Sequence, residues 1–206
     1  MPDRNVIMAV GFHRQLIVVL PKLDMVAVLT GKTHYPFGSL LDLLEASAAA
    51  DHALPANPAA LAELNNWVRD VATEKAGVVP PASTLASKIS GRVYQFEGNR
   101  MGLKSPTLDL TGTNPHYELV SSFANRVLTR TGPLGLDGLF RTSVEAAGPR
   151  AVKAYWTDTS TLSMVSQTLS EGVVSRYTVR FSDNAIDVAF SENTGFEGEV
   201  RGVYTP

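Results

Sequence analysis

The sequence predicts an α+β protein in which a β-hairpin and helices precede an antiparallel β-barrel. Three observations favour this class: apolar β runs between residues 6 and 30, two later segments with apolar residues at helical spacing, and short alternating strands from Gly91 to Pro206. With 206 residues, 44% of them apolar and 18% charged, the chain is expected to fold as one substantial domain or two small ones.

Composition excludes several classes of function. The formal net charge is −2, and no lysine and arginine run has the density that nucleic acid or anionic lipid would require, so we expect neither as a partner. Because the chain has no cysteine, disulfide frameworks and thiolate metal sites are excluded, although the compartment stays open. The longest apolar run, Leu16 to Leu20, is far shorter than a membrane span.

The first β element is predicted to be an antiparallel hairpin. One run extends from Val6 to Leu20 and is broken by Gly11, a second extends from Met25 to Thr30, and the turn formers of Pro21-Lys22-Leu23-Asp24 join them. The segment from Leu16 to Leu20 does not alternate with polar residues, so we expect both of its faces to be covered. A single hairpin cannot supply that cover, and the strand is therefore predicted to lie in the middle of a larger sheet.

Two helices are predicted next. The first extends from Ser39 to about Ala50 and packs on the sheet. The second begins at Asn57-Pro58, where an N-cap side chain precedes proline at the first helical position, and it ends before Gly77 to Pro81. Its apolar stripe is expected to lie against a protein surface and comprises Leu61, Leu64, Trp67, Val68 and Val71.

From Gly91 onward the pattern is typical of β structure. In the clearest hairpin, Ser175 to Phe190, a Ser182-Asp183-Asn184 turn places two apolar triplets on the same side of the ribbon. Eight or more short strands in about 115 residues predict a closed or nearly closed barrel of lipocalin size, since an open sheet would leave unpaired edges. Further strands are predicted at Tyr94–Phe96, Leu108–Leu110, Tyr117–Ser121, Arg126–Arg130, Leu136–Thr142, Val152–Trp156, Leu162–Thr168 and Val200–Tyr204.

The motifs of common hydrolases and metalloenzymes are absent. A penicillin-binding-type serine hydrolase needs a serine three residues before a lysine, and none of the lysines meets this requirement. The histidines are too far apart for a zinc motif, so no metal and no cofactor are expected. The pair Asp51-His52 lies in a predicted linker without a nucleophile beside it and is interpreted as a solvated loop.

One segment carries a family resemblance. Residues 9–30 follow the order small residue, Gly11, large residue, Gln15, apolar run, Pro21, acidic turn and valine-rich strand. This order resembles the penicillin-binding-protein-like serine hydrolases related to class C β-lactamases, a family that includes esterases and 6-aminohexanoate-oligomer hydrolases. Looser similarity extends over most of the chain and implies the closing part of the catalytic domain followed by a β-rich appendage.

The resemblance also implies candidate site residues. In that family the first strand borders the active site, and the residue after the glycine of its Lys-Thr-Gly box donates one backbone N–H group to the oxyanion hole. Here Ala9-Val10-Gly11 occupies the box, so Gly11 and Phe12 would supply the oxyanion-side backbone and His13 would lie at the pocket rim. Ala9 replaces the usual cationic residue, which favours amide or ester substrates over penicillins.

We therefore interpret the chain as the C-terminal segment of a β-lactamase-like serine hydrolase that lacks the catalytic serine and lysine and is inactive alone. The predicted regions are 1–52, closing strands and helix; 53–90, linker with an amphipathic helix; and 91–206, accessory barrel. The expected partner is the missing N-terminal catalytic region or a second copy bound through exposed strand edges, with an amide or ester as the candidate substrate.

Two alternatives remain open at this stage. The first is a stand-alone lipocalin-like module that binds an apolar small molecule in the barrel, with Trp156, Phe140, Met164 and Phe190 as candidate cavity residues. The second is a structural fragment whose unpaired strands associate with another copy by strand addition or domain swapping.

Overall fold

The computed structural model describes residues 5–31, 36–50, 52–124, 126–145 and 148–206, without the side chains of His13 and Phe123. The chain divides into two compact units. We call residues 1–73 the N-terminal unit and residues 74–206 the two-sheet unit. The three regions drawn from the sequence, with limits at residues 52 and 90, stay predictions. Asp51 of the Asp51-His52 pair and the histidine His34 lie outside the described residues.

The N-terminal unit contains a three-stranded antiparallel sheet in the order β1 (Ile7–Val10), β2 (Leu16–Leu20) and β3 (Met25–Leu29). The predicted hairpin is confirmed for β2 and β3, which pair with Leu20 opposite Met25. Their connection is a turn of 3-10 helix over Pro21–Leu23, and it ends at Asp24 in the left-handed region with φ of 46°. Proline and aspartate thus hold the positions of the turn that their backbone preferences favour.

The predicted break of the Val6–Leu20 run at Gly11 is a chain reversal in the structure. A 3-10 turn over Phe12–Arg14 follows Gly11. The Gly11 N–H donates to the Gln15 carbonyl at 2.7 Å and closes the reversal, so β1 folds back and pairs antiparallel with β2. The pattern of apolar residues on either side of Gly11 is the same for a continuous strand and for two strands joined by a tight turn.

Only one face of this sheet is covered by described residues. Helix α1 (Phe37–Ser47) packs its Leu41 against Leu16, Val18 and Leu20 of β2. Strand β2 lies in the middle of this sheet, as predicted, and the described residues do not supply the cover expected on its second face. The apolar side chains of the second face are exposed, and Ile17, Val26 and Val28 are among them.

Helix α2 (Pro58–Ala72) begins where the sequence predicts, because the Asn57 side chain accepts the N–H of Ala60 at 3.0 Å. The expected burial of its apolar stripe is wrong. Trp67 is 68% exposed, and the other stripe residues are exposed as well, namely Leu61, Leu64, Val68 and Val71.

The two-sheet unit is mostly antiparallel β structure. It contains the short helix α3 (Ala86–Ile89) and ten described strands. The strands are β4 (Tyr94–Phe96), β5 (Leu103–Asp109), β6 (His116–Phe123), β7 (Arg126–Pro133), β8 (Arg141–Glu145), β9 (Gly148–Trp156), β10 (Thr161–Thr168), β11 (Val173–Ser182), β12 (Ala185–Glu192) and β13 (Glu197–Tyr204).

These strands form a seven-stranded sheet in the order β4-β13-β12-β11-β10-β9-β8 and a three-stranded sheet in the order β5-β6-β7. A bridge between Val93 and Thr107 joins the sheets at the start of β4. Among the described residues no ladder joins β7 to β8, so the sheets separate along that side. The chain crosses this gap at Leu134, which is only 1% exposed.

The two sheets cover each other's apolar faces. The predicted hairpin of β11 and β12 is confirmed, with Tyr177 opposite Phe190, Val179 opposite Val188 and Phe181 opposite Ile186 on the inward face. Trp156 of β9 packs on Phe181 with ring centroids 5.8 Å apart. One core unites both sheets, because Leu110 and Tyr117 from the region of β5 and β6 belong to the same buried cluster.

Two predicted strands are only partly correct: Leu108–Leu110 is the end of the longer β5, and Leu136–Thr142 starts too early. Leu136–Thr142 is irregular until Arg141, where β8 begins. The irregular segment folds sharply at Gly135, since a Cβ atom there would lie 1.8 Å from the Leu139 carbonyl oxygen. The Gly135 backbone also pairs with β9, because the Ala154 N–H donates to the Gly135 carbonyl at 2.7 Å. Side-chain alternation in the sequence does not signal such a close backbone approach.

Candidate functional site

The residues assigned to an oxyanion site lie at an exposed turn. Gly11 has extended backbone angles, and its N–H is used in the bond to Gln15. The Phe12 side chain is 80% exposed. The side chain of His13 lies outside the described part of the structure. The assignment of these three residues to a hydrolase active site stays a prediction.

A cavity of about 110 Å³ lies between the two sheets of the two-sheet unit. Its wall is largely apolar, and the seven-stranded and three-stranded sheets both contribute to it. The apolar and aromatic wall residues are Tyr94, Phe96, Leu103, Pro106, Leu108, Tyr117, Leu119, Val152, Met164, Tyr177, Val179, Phe181, Ile186 and Val188.

The inward face of the seven-stranded sheet changes from apolar to polar along its strands. At one end, Leu162 pairs with Trp156 and Val179. Farther along β10, the inward position Ser166 pairs with Ser175 of β11, and both side chains are buried. The strand register places further polar residues on the same face, and we call this group the polar end. Besides Ser166 and Ser175, it contains Ser143, Glu145, Arg150, Thr168 and Glu192.

Arg150 is the central charged group of this polar end. Alternate side chains of β9 point inward, namely Val152, Ala154 and Trp156. Arg150 continues this alternation, so its guanidinium forms part of the cavity wall. Its Nη1 donates to Ser166 Oγ at 2.9 Å. Its Nε lies 3.0 Å from Glu145 Oε1 but makes no hydrogen bond, since the carboxylate is out of line with the N–H.

Glu145 connects this charge to the other sheet. The Tyr117 hydroxyl of β6 donates to Glu145 Oε1 at 3.1 Å across the side where β7 and β8 are not paired. The side chains of Arg150 and Glu145 are 13% and 12% exposed, so the ion pair is shielded from solvent. The two opposite charges lie 3.0 Å apart and offset each other, so little net charge is left at this end of the cavity.

Two tyrosines of the cavity wall, Tyr117 and Tyr177, have raised pKa values. Burial, followed by the negative charge of Glu145, raises the pKa of Tyr117 to about 12. Burial also raises the pKa of Tyr177, although the Ser175 hydroxyl and the Arg150 charge oppose that shift. Both tyrosines are therefore neutral hydrogen-bonding groups at physiological pH.

Of the four cavity residues that the sequence suggested, Met164 lines the cavity and the other three do not. Trp156 and Phe190 are core residues beside it, with Phe190 packed on Tyr177 and Phe196. Phe140 instead lies under the Lys153 ammonium, 4.3 Å from its ring centroid.

Sequence reasoning missed the polar end completely. A signal was present, because Arg150 stands two residues before Val152 in the inward phase of a strand that was otherwise recognised. A charged residue in that phase predicts a buried, paired group. The partner could not be predicted in the same way, since Tyr117 and Glu145 come from strands distant in the sequence.

Other types of site are not seen in the described parts of the chain. Those ranges hold no group of three or more His, Asp or Glu residues arranged to bind a metal ion. Their helices include none with the length and apolar character needed to cross a bilayer.

Comparison with known proteins gives little further information. No family model matches the chain, and no curated protein matches it. One similar solved structure is the fatty-acid-binding protein of Manduca sexta, at 16% identity and a TM-score of 0.36. Another is a fatty-acid-binding protein from the brain of Drosophila melanogaster, at 14% identity and a TM-score of 0.38. Each alignment covers 57% of this chain and 99% of the other.

Proposed function

We propose that the two-sheet unit is a lipocalin-like binding module for a small apolar molecule. The observation that carries the proposal is the apolar cavity of about 110 Å³ inside an otherwise packed core. A small apolar molecule in this space would remove the apolar wall from water, which is the main favourable contribution to binding of this kind.

Cavity size limits the ligand. An engineered apolar cavity of about 150 Å³ in another protein binds benzene. The present cavity is somewhat smaller, so it would enclose a group of about benzene size or one end of a short alkyl chain. The aromatic and branched side chains of the wall favour apolar contact over hydrogen bonding along most of its surface.

The Met164 methyl group offers a direct probe, because this side chain lines the cavity. We would label the methionine methyl groups, assign Met164 by Met164→Leu, and titrate benzene while recording methyl NMR spectra. The Met164 signal should shift, whereas the signals of Met8 and Met25 in the N-terminal unit should not. No shift of Met164 at benzene saturation would contradict the proposal.

A pair of variants controls for non-specific binding. Leu119→Trp fills the cavity from β6, while Val120→Trp adds the same bulk to the next residue, whose side chain lies on the opposite face of that strand. Benzene binding should be lost in the first variant and kept in the second. Equal effects of the two substitutions would place the bound molecule elsewhere.

A second candidate function concerns the N-terminal unit. We propose that it serves as the closing part of a β-lactamase-like catalytic domain, the remainder of which would cover the exposed face of the β1–β3 sheet. The observation favouring this is the apolar exposed face itself, where Val26 and Val28 are 63% and 62% exposed. Exposed contiguous apolar surface of this kind is typical of an interaction site.

This second proposal has two tests. The chain should not react with a fluorophosphonate, because no serine precedes a lysine by three residues, and covalent labelling would refute the inactive-segment interpretation. In sedimentation velocity, wild-type protein should self-associate as its concentration rises, and Val26→Thr with Val28→Thr should reduce that association. A strictly monomeric wild type would argue against an unsatisfied sheet face.

A further inference from the structure

The polar end of the cavity contains both signs of charge. Arg130 lies opposite Leu119 on the inward phase of β7, and together with Arg150 it supplies the positive charge of the cavity wall. Negative charge comes from Glu145 beside Arg150. Glu192 adds a second carboxylate, which accepts the Ser175 hydroxyl at 3.0 Å. Among the described residues on the inward faces around this end, two arginines thus face two glutamates.

The buried arginine is already neutralised by the protein. Glu145 Oε1 is 3.0 Å from Arg150 Nε, and Tyr117 donates to the same oxygen. A ligand carboxylate placed on Arg150 would approach Glu145 in a site shielded from water, where like charges repel most strongly. A ligand ammonium would meet Arg150 and Arg130 in the same way. Either ion would have to displace the existing pair to be accommodated.

Hydrogen-bonding capacity remains at this end after the charges are paired. A guanidinium has five N–H groups, and the described structure gives Arg150 one hydrogen bond, from Nη1 to Ser166. The Ser166 hydroxyl lies in the cavity wall and can accept or donate a further hydrogen bond, whereas the neighbouring Ser175 hydroxyl already donates to Glu192. Neutral donors and acceptors are therefore available beside a compensated charge.

We propose that the ligand of this cavity has an apolar body and an uncharged amide-type end, which accepts from Arg150 and donates to the Ser166 hydroxyl. The proposal rests on the binding function proposed above and specifies its ligand class. The apolar body lies among the aliphatic and aromatic side chains, and the carbonyl oxygen meets the guanidinium. No bond is made or broken in this role.

The test compares ligands that share an alkyl chain and differ at one end. Pentanamide, pentanoate and pentylamine are titrated at neutral pH against methyl-labelled wild-type protein, with the Met164 signal as readout and benzene as the purely apolar reference. Pentanamide should bind at least about tenfold more tightly than either ion, since uncompensated like charges in an interface are strongly unfavourable. Pentanoate binding as tightly as pentanamide would overturn the ligand class.

Glu145→Gln provides the matched change in the protein. Removing the compensating charge leaves Arg150 unpaired, so the affinity ratio of pentanamide to pentanoate should fall by at least about tenfold. The control is Glu199→Gln, the same substitution on the outward phase of β13, which should leave the ratio unchanged. If Glu145→Gln does not fold, as judged by loss of methyl dispersion, the wild-type ratio decides the question alone.

The outcomes separate the two proposals. Benzene binding without a preference among the end groups overturns the amide inference and leaves the cavity function standing. Absence of any shift at Met164, with benzene included, overturns both. A pentanamide-induced shift that persists in Leu119→Trp places the amide outside the cavity and also overturns the inference.

Discussion

The two units of the chain treat their apolar sheet faces differently. In the two-sheet unit, the inward face of each sheet is covered by the other, and Leu162 and Ile186 are almost fully buried. In the N-terminal unit, helix α1 covers one face of the β1–β3 sheet and the second face is exposed. The first arrangement is self-sufficient, while the second needs a covering surface to remove its apolar side chains from water.

The largest expected effect lies in the self-covered unit. Leu162→Ala removes a side chain that is 0% exposed and should lower the free energy of unfolding by about 3 to 5 kcal/mol. The matched substitution is Leu43→Ala on α1, where the side chain is 62% exposed and the change should stay within about 0.5 kcal/mol. Urea unfolding followed by circular dichroism measures both values.

The same experiment tests whether the units unfold separately. Two transitions are expected, and Leu162→Ala should shift only one of them, since two-state behaviour is a property of single domains. A single transition that moves with both substitutions would mean that the units unfold together. Equal losses from Leu162→Ala and Leu43→Ala would show that the outer side of α1 is also covered.

An intermediate effect is expected from the polar end of the cavity at high pH. Burial and the Glu145 charge raise the pKa of Tyr117 to about 12, whereas an unfolded tyrosine titrates near about 10. The protonated phenol is therefore favoured in the folded state. Its contribution is fully present below about pH 10 and is lost as the pH rises to about 12, on the order of 3 kcal/mol in total.

Tyr117→Phe isolates this contribution because phenylalanine does not titrate. The difference in unfolding free energy between wild type and this variant should shrink as pH rises through the window. Tyr155→Phe, on the outward phase of β9, corrects for the loss of a hydroxyl from the same unit. A wild-type advantage that stays constant across the window would show that Tyr117 is not held in its protonated form.

Local pattern was sufficient for most of the strands of the two-sheet unit. The β11–β12 hairpin is predictable because its apolar triplets alternate with polar residues on both sides of a turn-forming cluster. The start of α2 is predictable for a similar reason, since Asn57 and Pro58 are adjacent and both act locally. These signals extend over a few residues and need no knowledge of the rest of the fold.

Contacts between distant segments could not be predicted in this way. The turn at Gly11 and the fold at Gly135 depend on which backbone groups meet, and apolar alternation does not report that. The exposure of the α2 stripe was missed because amphipathicity shows which side is apolar without showing what covers it. The pairing of Glu145 with Arg150 on one side and Tyr117 on the other requires three strands from two sheets to lie close together.

The smallest expected effect tests the exposed sheet face directly. Val28→Thr keeps the side-chain shape and replaces a methyl group by a hydroxyl where the side chain is 62% exposed, so the free energy of unfolding should change by less than about 0.5 kcal/mol. The same substitution at Val18, which is 0% exposed, buries the hydroxyl and should cost about 1 to 3 kcal/mol.

A substantial loss of stability from Val28→Thr in dilute protein would mean that this face is already covered, and the contrast between the two units would then disappear. A loss at Val28 that appears only as the concentration rises would instead identify a second copy of the chain as the cover, because only association depends on protein concentration.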